Sequence, residues 1–175
     1  MITLRCTAPL LKQLGGPDPD VPSNGRLGDW EAKIVANRPR RLVLCTNERS
    51  LLCVVIPFAP YQELRERFVA AAQRLIQLIP APATARLTEL GTLSEVRLGR
   101  ATNRSVLSSM THFGHAVDAW FEGDHPDDLH ALSLWLCDTP CFPLSTNWPW
   151  LEAELLLVGS VLPGRSPFKS AEHVI

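Results

Sequence analysis

The sequence predicts an α+β fold, a single domain whose largely antiparallel sheet forms a meander packed on one face by about four helices. Three observations point there. Between residues 30 and 56, short apolar runs are separated by turn-sized gaps, which favours antiparallel neighbours. Longer stretches with apolar residues three and four apart surround that block and read as amphipathic helices. A chain of 175 residues with 46% hydrophobic and 20% charged residues can bury one substantial core and is short for two. The domain is expected over residues 1–145, with residues 146–175 a C-terminal helix and tail.

Ile2 to Cys6 reads as a short strand, and Thr7 can cap a brief helix with Pro9 in its first turn and Leu10, Leu11 and Leu14 inward. Gly15 and Gly16 stop it. Pro17 to Gly28 is rich in Pro, Asp, Asn and Gly, the composition of a mobile surface loop. From Trp30 to Ala36 the residues alternate with a period of two, the mark of a half-buried strand. Asn37 to Arg40 is a turn, Leu42 to Thr46 a strand, Asn47 to Ser50 a turn and Leu51 to Ile56 a strand.

Pro60 opens a helix to Ile79 whose apolar stripe runs through Leu64, Phe68, Ala72 and Leu75, and a short helix at Thr84 to Leu90 precedes a strand from Leu93 to Leu98. The next helix starts near Asn103 and buries Val106, Met110, Phe113, Val117 and Trp120. Asp124 is the expected cap of a following helix through Leu129, Leu132, Trp135 and Leu136, which is apolar nearly all round and should be deeply buried. Asn147 and Pro149 open a last helix from Trp150 to Val158, and residues from Pro163 read as a frayed tail.

Charge and cysteine content narrow the function classes. Seventeen Lys and Arg against eighteen Asp and Glu give a net charge of -1, which argues against a surface built for nucleic acid or anionic lipid. The patch formed by Arg38, Arg40, Arg41 and Arg49 is split between opposite ends of the meander and reads as a solvated rim. No span approaches the roughly 20 apolar residues of a membrane helix, and the start MITLRCT lacks the pattern of a secretory leader. Five cysteines, Cys6, Cys45, Cys53, Cys137 and Cys141, are an odd number without framework spacing and read as reduced thiols. A cytoplasmic protein without membrane contact is the expectation.

The most pointed chemistry lies in RLGRATNRSVLSSM, where an Arg-bearing turn runs into the helix at Asn103. Arg97, Arg100, Asn103, Arg104 and Ser105 form a candidate anion site, because guanidinium forks pair with phosphate and a helix start offers free amides. The plainer alternative is that Asn103 caps, Ser105 completes the turn and the arginines pair with carboxylates. His112 and His115, with Asp118, fall at i, i+3 and i+6 and are weak metal candidates beside a solvated polar face. The four-residue step from Cys137 to Cys141 is neither a zinc nor a redox spacing, and buried thiols account for both. Trp30, Trp148 and Trp150 lie at element ends where they can anchor a partner. Asp29, Asn47 and Glu48 supply polar groups at strand ends, where turn chemistry explains them equally well.

The segments RCTAPLL, LGDWEAKIV, Arg40 to Glu48, GRATNRSVLSSM and DTPCFPL, in this order and spacing from Met1 to Leu144, resemble a family of small bacterial proteins known only as a domain of unknown function. The family pattern has Gly at the position of Ser108 and Asn-Asp at Thr111 and His112, so the second turn of that helix departs from it. The resemblance implies a shared α+β fold and no assigned activity.

With no nucleotide loop, metal signature or catalytic triad, no cofactor and no reaction can be assigned. The preferred expectation is a bacterial binding or regulatory module with a protein partner on an open sheet face or the tryptophan-bearing ends. The alternative is an enzyme or binder of a phosphate-bearing ligand, nucleotide or nucleic acid, held by Arg100, Asn103, Arg104 and Ser105.

Overall fold

A computed structural model describes residues 1–37 and 40–159, excepting the side chains of Ala36, Asn37 and Arg40. The frayed tail, Arg38 and the Arg40 side chain therefore lie outside the described residues. The strands are β1 (Ile2–Cys6), β2 (Trp30–Asn37), β3 (Arg40–Asn47), β4 (Cys53–Pro57) and β5 (Val96–Arg100). The helices are α1 (Ala8–Gln13), α2 (Leu64–Leu78), α3 (Ala83–Thr92), α4 (Arg104–Glu122), α5 (Leu129–Cys137) and α6 (Pro149–Val158).

The five strands form one mixed sheet in the order β4-β3-β2-β1-β5. The meander of β2, β3 and β4 is antiparallel as its short connections require, but β1 runs parallel to both β2 and β5. The expected largely antiparallel sheet is thus corrected to a mixed one. Both parallel pairs are joined by long segments carrying helices, and parallel neighbours need such crossovers. Nothing in a strand's own alternation reports which distant strand lies beside it.

Helices cover both faces, which corrects the expected one-sided packing. Successive residues of β2 point to opposite faces. Trp30 meets Phe68 of α2 edge to face, with ring centroids 5.4 Å apart, so α2 lies on the even-numbered face. Lys33 reaches Thr111 of α4 at 3.4 Å, and a Cβ on Gly114 of α4 would touch Val35, so α4 lies on the odd-numbered face. Tryptophan 30 and Trp150 are buried, as are Ala153 and Leu157 of α6, all in the same core as the sheet. Neither tryptophan is an exposed anchor.

The outer edges of the sheet are closed by side chains. On β4, the amides of Val55 and Cys53 point away from β3 and donate to Ser133 Oγ (2.9 Å) and Cys137 Sγ (3.3 Å) of α5. Pro57, the next outward position, has no amide to satisfy. On β5, Leu98 exchanges two bonds with Asp18, its amide donating to the carboxylate (2.7 Å) and its carbonyl accepting from the Asp18 amide (2.8 Å). Closed edges deny a template to other chains. None of the α5 residues is exposed, as its apolar composition predicts, although Asp128 rather than Asp124 caps it, accepting from the His130 amide at 2.8 Å.

The segment from Pro17 to Gly28 is tied down, in contrast to the mobile loop its composition suggests. Glu89 accepts from the amides of Arg26 (2.8 Å) and Leu27 (3.2 Å), Arg26 donates to Leu157 O (2.7 Å), and Leu27 is fully buried. Asn47 adds a knot beside it. Its amide nitrogen donates to the Leu27 and Asp29 carbonyls, and its oxygen accepts from the amides of Arg49 and Ser50 and from the Ser50 hydroxyl. Polar loop residues here serve the interior, which composition cannot reveal.

Ser133→Ala leaves the Val55 amide buried without its acceptor. The expected result is a loss of about 1–2 kcal/mol in denaturant unfolding and faster hydrogen exchange at Val55, with the β2/β3 amides unchanged.

Candidate functional site

The start of α4 is held by a buried carboxylate that strand alternation hides. Glu31 lies on the odd-numbered face of β2 and is completely inaccessible. Its Oε1 accepts from the amides of Asn103 (3.0 Å) and Thr102 (3.2 Å), and Asn103 Oδ1 in turn accepts from Val106 N (3.3 Å). The Asn103 amide, one of those the sequence offers to an external anion, is therefore occupied from within. Its Oε2 has no hydrogen-bond partner, and neither has Thr46 Oγ1, which stands directly across the strand pair. Burial raises the Glu31 pKa above the usual carboxylate range, opposed by the Asn103 and Thr102 amides and by Arg5.

Arg5 occupies the matching position on β1 and completes a polar row across the sheet. Its guanidinium pairs with Asp29 at 2.8 Å and with the exposed Asp20 at 3.4 Å. Asp29 also accepts from the Thr3 amide (2.9 Å), while its own amide donates to Glu48 (3.1 Å). Gly99 is the β5 member of the row, and a Cβ there would stand 2.7 Å from Thr3 Cγ2 and 3.4 Å from Arg5 Nη1. A bare backbone at 99 leaves room for the Arg5 side chain. Asp29 and Glu48 are thus joined in one structural network, and Glu95 pairs with Arg97.

Within the predicted anion group, Arg97 and Arg100 part company on β5. Arg97 and Arg100, an odd number of residues apart on β5, lie on opposite faces, with Arg97 bound to Glu95 at 2.9 Å and Arg100 exposed. Asn103 caps α4, and Arg104 and Ser105 are exposed in its first turn. The structure gathers Ser105 with a different set of residues.

That set lines a cleft of about 550 Å³ between α4 and the segment 139–143. Ser105, Ser108, Ser109 and His112 form one wall, and Pro140, Cys141 and Phe142 belong to the other. Helical spacing puts the hydroxyls and the imidazole on one stripe of α4, beside its buried Val106, Met110 and Phe113 row, and Phe113 itself lines the cleft. Phe142 is 89% exposed, an unusual position for so large an apolar ring. Cys141 is nearly buried, and burial pushes its thiol up to about 11, helped by Cys137. It remains a neutral thiol and offers no nucleophile at neutral pH.

Other reactive groups are likewise quiet. All five cysteines are unpaired and buried, and burial pushes the Cys6 thiol up to about 12, with a further push from Glu31. His112 and His115 are exposed, and among the described residues no group of three His, Cys, Asp or Glu side chains is placed to hold a metal ion. Among those residues, too, no helix is long and apolar enough to cross a membrane. Sequence reasoning missed Glu31 because a lone acid in an alternating strand looks like a solvent-facing position. It missed the cleft because its far wall comes from a Pro-rich segment with no periodicity.

A mixed sheet flanked by helices on both faces, with a half-enclosed cleft on its longest helix, defines a single-sheet α+β domain. The chain belongs to the family described as Domain of unknown function (DUF6933), which matches residues 3–152. No curated protein and no solved structure matches it.

Glu31→Ala removes the acceptor for two amides and leaves a void, an expected loss of about 3 kcal/mol in denaturant unfolding. Glu31→Gln separates charge from shape. With the folded pKa raised above the ordinary 4.5, the native state binds the extra proton between those values, so this group's contribution to stability falls as pH rises through that window. Plotted against pH, the stability of wild type minus that of Glu31→Gln should decline across it; a rise would show that the carboxylate is held ionised.

Proposed function

We propose that the protein is a non-catalytic binding module that takes its ligand or partner group in the cleft between α4 and residues 139–143. The observation that carries this reading is the cleft itself, whose apolar floor and convergent hydroxyls are the usual make-up of a small-ligand site. Its polar groups, Ser105, Ser108, Ser109 and His112, give direction to a ligand whose apolar part lies against Pro140 and Phe142. The matching chemistry is an amphipathic group, an aromatic or aliphatic body with one hydrogen-bonding head. A protruding side chain of a partner protein meets that description as well as a free small molecule does.

Binding is favoured over catalysis because the neighbouring thiol is neutral and the buried carboxylate of Glu31 is fully inaccessible. The reading in which Arg100, Asn103, Arg104 and Ser105 jointly hold a phosphate draws less support, since Glu31 occupies the Thr102 and Asn103 amides. Unpaired buried thiols suit a reducing compartment, and we place the module in the bacterial cytoplasm, with a regulatory role as its simplest use.

An amphipathic aromatic fragment set, screened by amide chemical shifts, should perturb Ser108 to His112 together with Cys141 and Phe142. Ser108→Trp fills the cleft from an exposed position and should abolish those shifts while leaving the unfolding midpoint within about 0.5 kcal/mol of wild type. Fragments that bind elsewhere, or that still bind the Trp variant, would refute the assignment.

A further inference from the structure

A second crevice sits on the opposite face of the sheet, where the two parallel strands end. β1 and β5 are neighbours and parallel, and their carboxyl ends are locked together by the bond from the Ala101 amide to the Cys6 carbonyl (3.0 Å). From there the chain leaves in opposite directions. Gln13 of α1 and the following Leu14 share a hollow with Arg65 and Leu98, placing α1 on the α2 face, whereas β5 leads into α4 on the Glu31 face. Adjacent parallel strands whose connections diverge to opposite faces open a crevice at their carboxyl ends, and in open α/β sheets ligands bind at that point.

Here the crevice has a volume of about 380 Å³ and carries a marked charge bias. Lys12, on the last turn of α1, and Arg100, the last residue of β5, both line it, and no carboxylate is among its lining residues. Both cations are exposed. Leu11, Ala8 and Pro17 supply apolar wall, and Cys6 and Ala101 also line the crevice. Gly15, with φ at 90°, ends α1 in the left-handed region, and the Gly16 amide turns back to Leu11 O (3.1 Å), which brings Pro17 to the rim. A Cβ on Gly16 would meet nothing within 4 Å, so the approach on that side is open.

We propose that this crevice is an anion site for a small phosphate-bearing organic molecule, with Arg100 and Lys12 on the phosphate and the apolar wall against its body. A guanidinium fork beside a compact ammonium suits the tetrahedral, multiply charged group better than a single carboxylate. The site is separate from the α4 cleft, shares no lining residue with it, and stands or falls independently of it.

The test uses phenyl phosphate and inorganic phosphate as probes on the full chain, with sodium chloride at matched ionic strength as the reference, read by amide chemical shifts. Phenyl phosphate should give saturable shifts at Lys12, Gly16 and Ala101, with inorganic phosphate weaker. Lys12→Gln and Arg100→Gln should each weaken binding about tenfold, while Arg104→Gln binds as wild type. All three positions are exposed, and the amide spectrum of each variant reports its fold directly. Equal shifts with chloride, absence of saturation at millimolar phenyl phosphate, shifts centred on Arg104 and Ser105, or unchanged affinity in the Lys12 and Arg100 variants would each overturn the proposal.

Discussion

A single carboxylate, that of Glu31, joins the middle of the sheet to the first residues of α4. It is fully buried and accepts from the Thr102 and Asn103 amides just ahead of the first turn, while Asn103 itself caps the helix. Burying a carboxylate is costly unless its lone pairs are used, and one oxygen here is well used while the other faces Thr46 with no bond to it. Burial raises its pKa, against the pull of the two amides and of Arg5. Glu31 thus ties the start of α4 to the sheet, and the same helix supplies one wall of the cleft.

The rest of the polar interior follows the same logic of carboxylates and amides closing what strands leave open. Asp29 satisfies Thr3 ahead of the first parallel rung, Asp18 satisfies the outer edge of β5, and Glu89 satisfies two amides of the connecting segment. These acids would look like surface charge in a composition count. Their work explains why a segment rich in Pro, Gly and Asp lies pinned against the core. β5 reaches its place beside β1 because residues 58–95, which carry α2 and α3, bring the chain back from β4 across the meander.

Within this frame the two sites have different chemical characters. The α4 cleft is neutral, lined by hydroxyls, an imidazole and apolar rings. The crevice at the ends of β1 and β5 is cationic and smaller. The sheet separates them, with α4 on one face and α1 on the other, so a ligand at one leaves the other accessible.

Most strands and helices were legible in the residues alone, because periods of two and of three to four are local properties. Ile2 to Cys6, the meander and the stripe of α4 needed nothing beyond neighbouring positions, and Asn103 as the cap of α4 was readable from its place before an apolar repeat. Of the candidate site, Ser105 and His112 were singled out beforehand, whereas Cys141 and Phe142 were not connected to them, since the 139–143 segment has no repeat that announces a wall. The parallel placement of β1 between β2 and β5, the covering of both faces, the parting of Arg97 from Arg100 and the engagement of Glu31 with the helix start emerged only in three dimensions. Each involves residues far apart in the chain brought together by burial and pairing, and no local pattern of polarity encodes which distant segment will supply the partner.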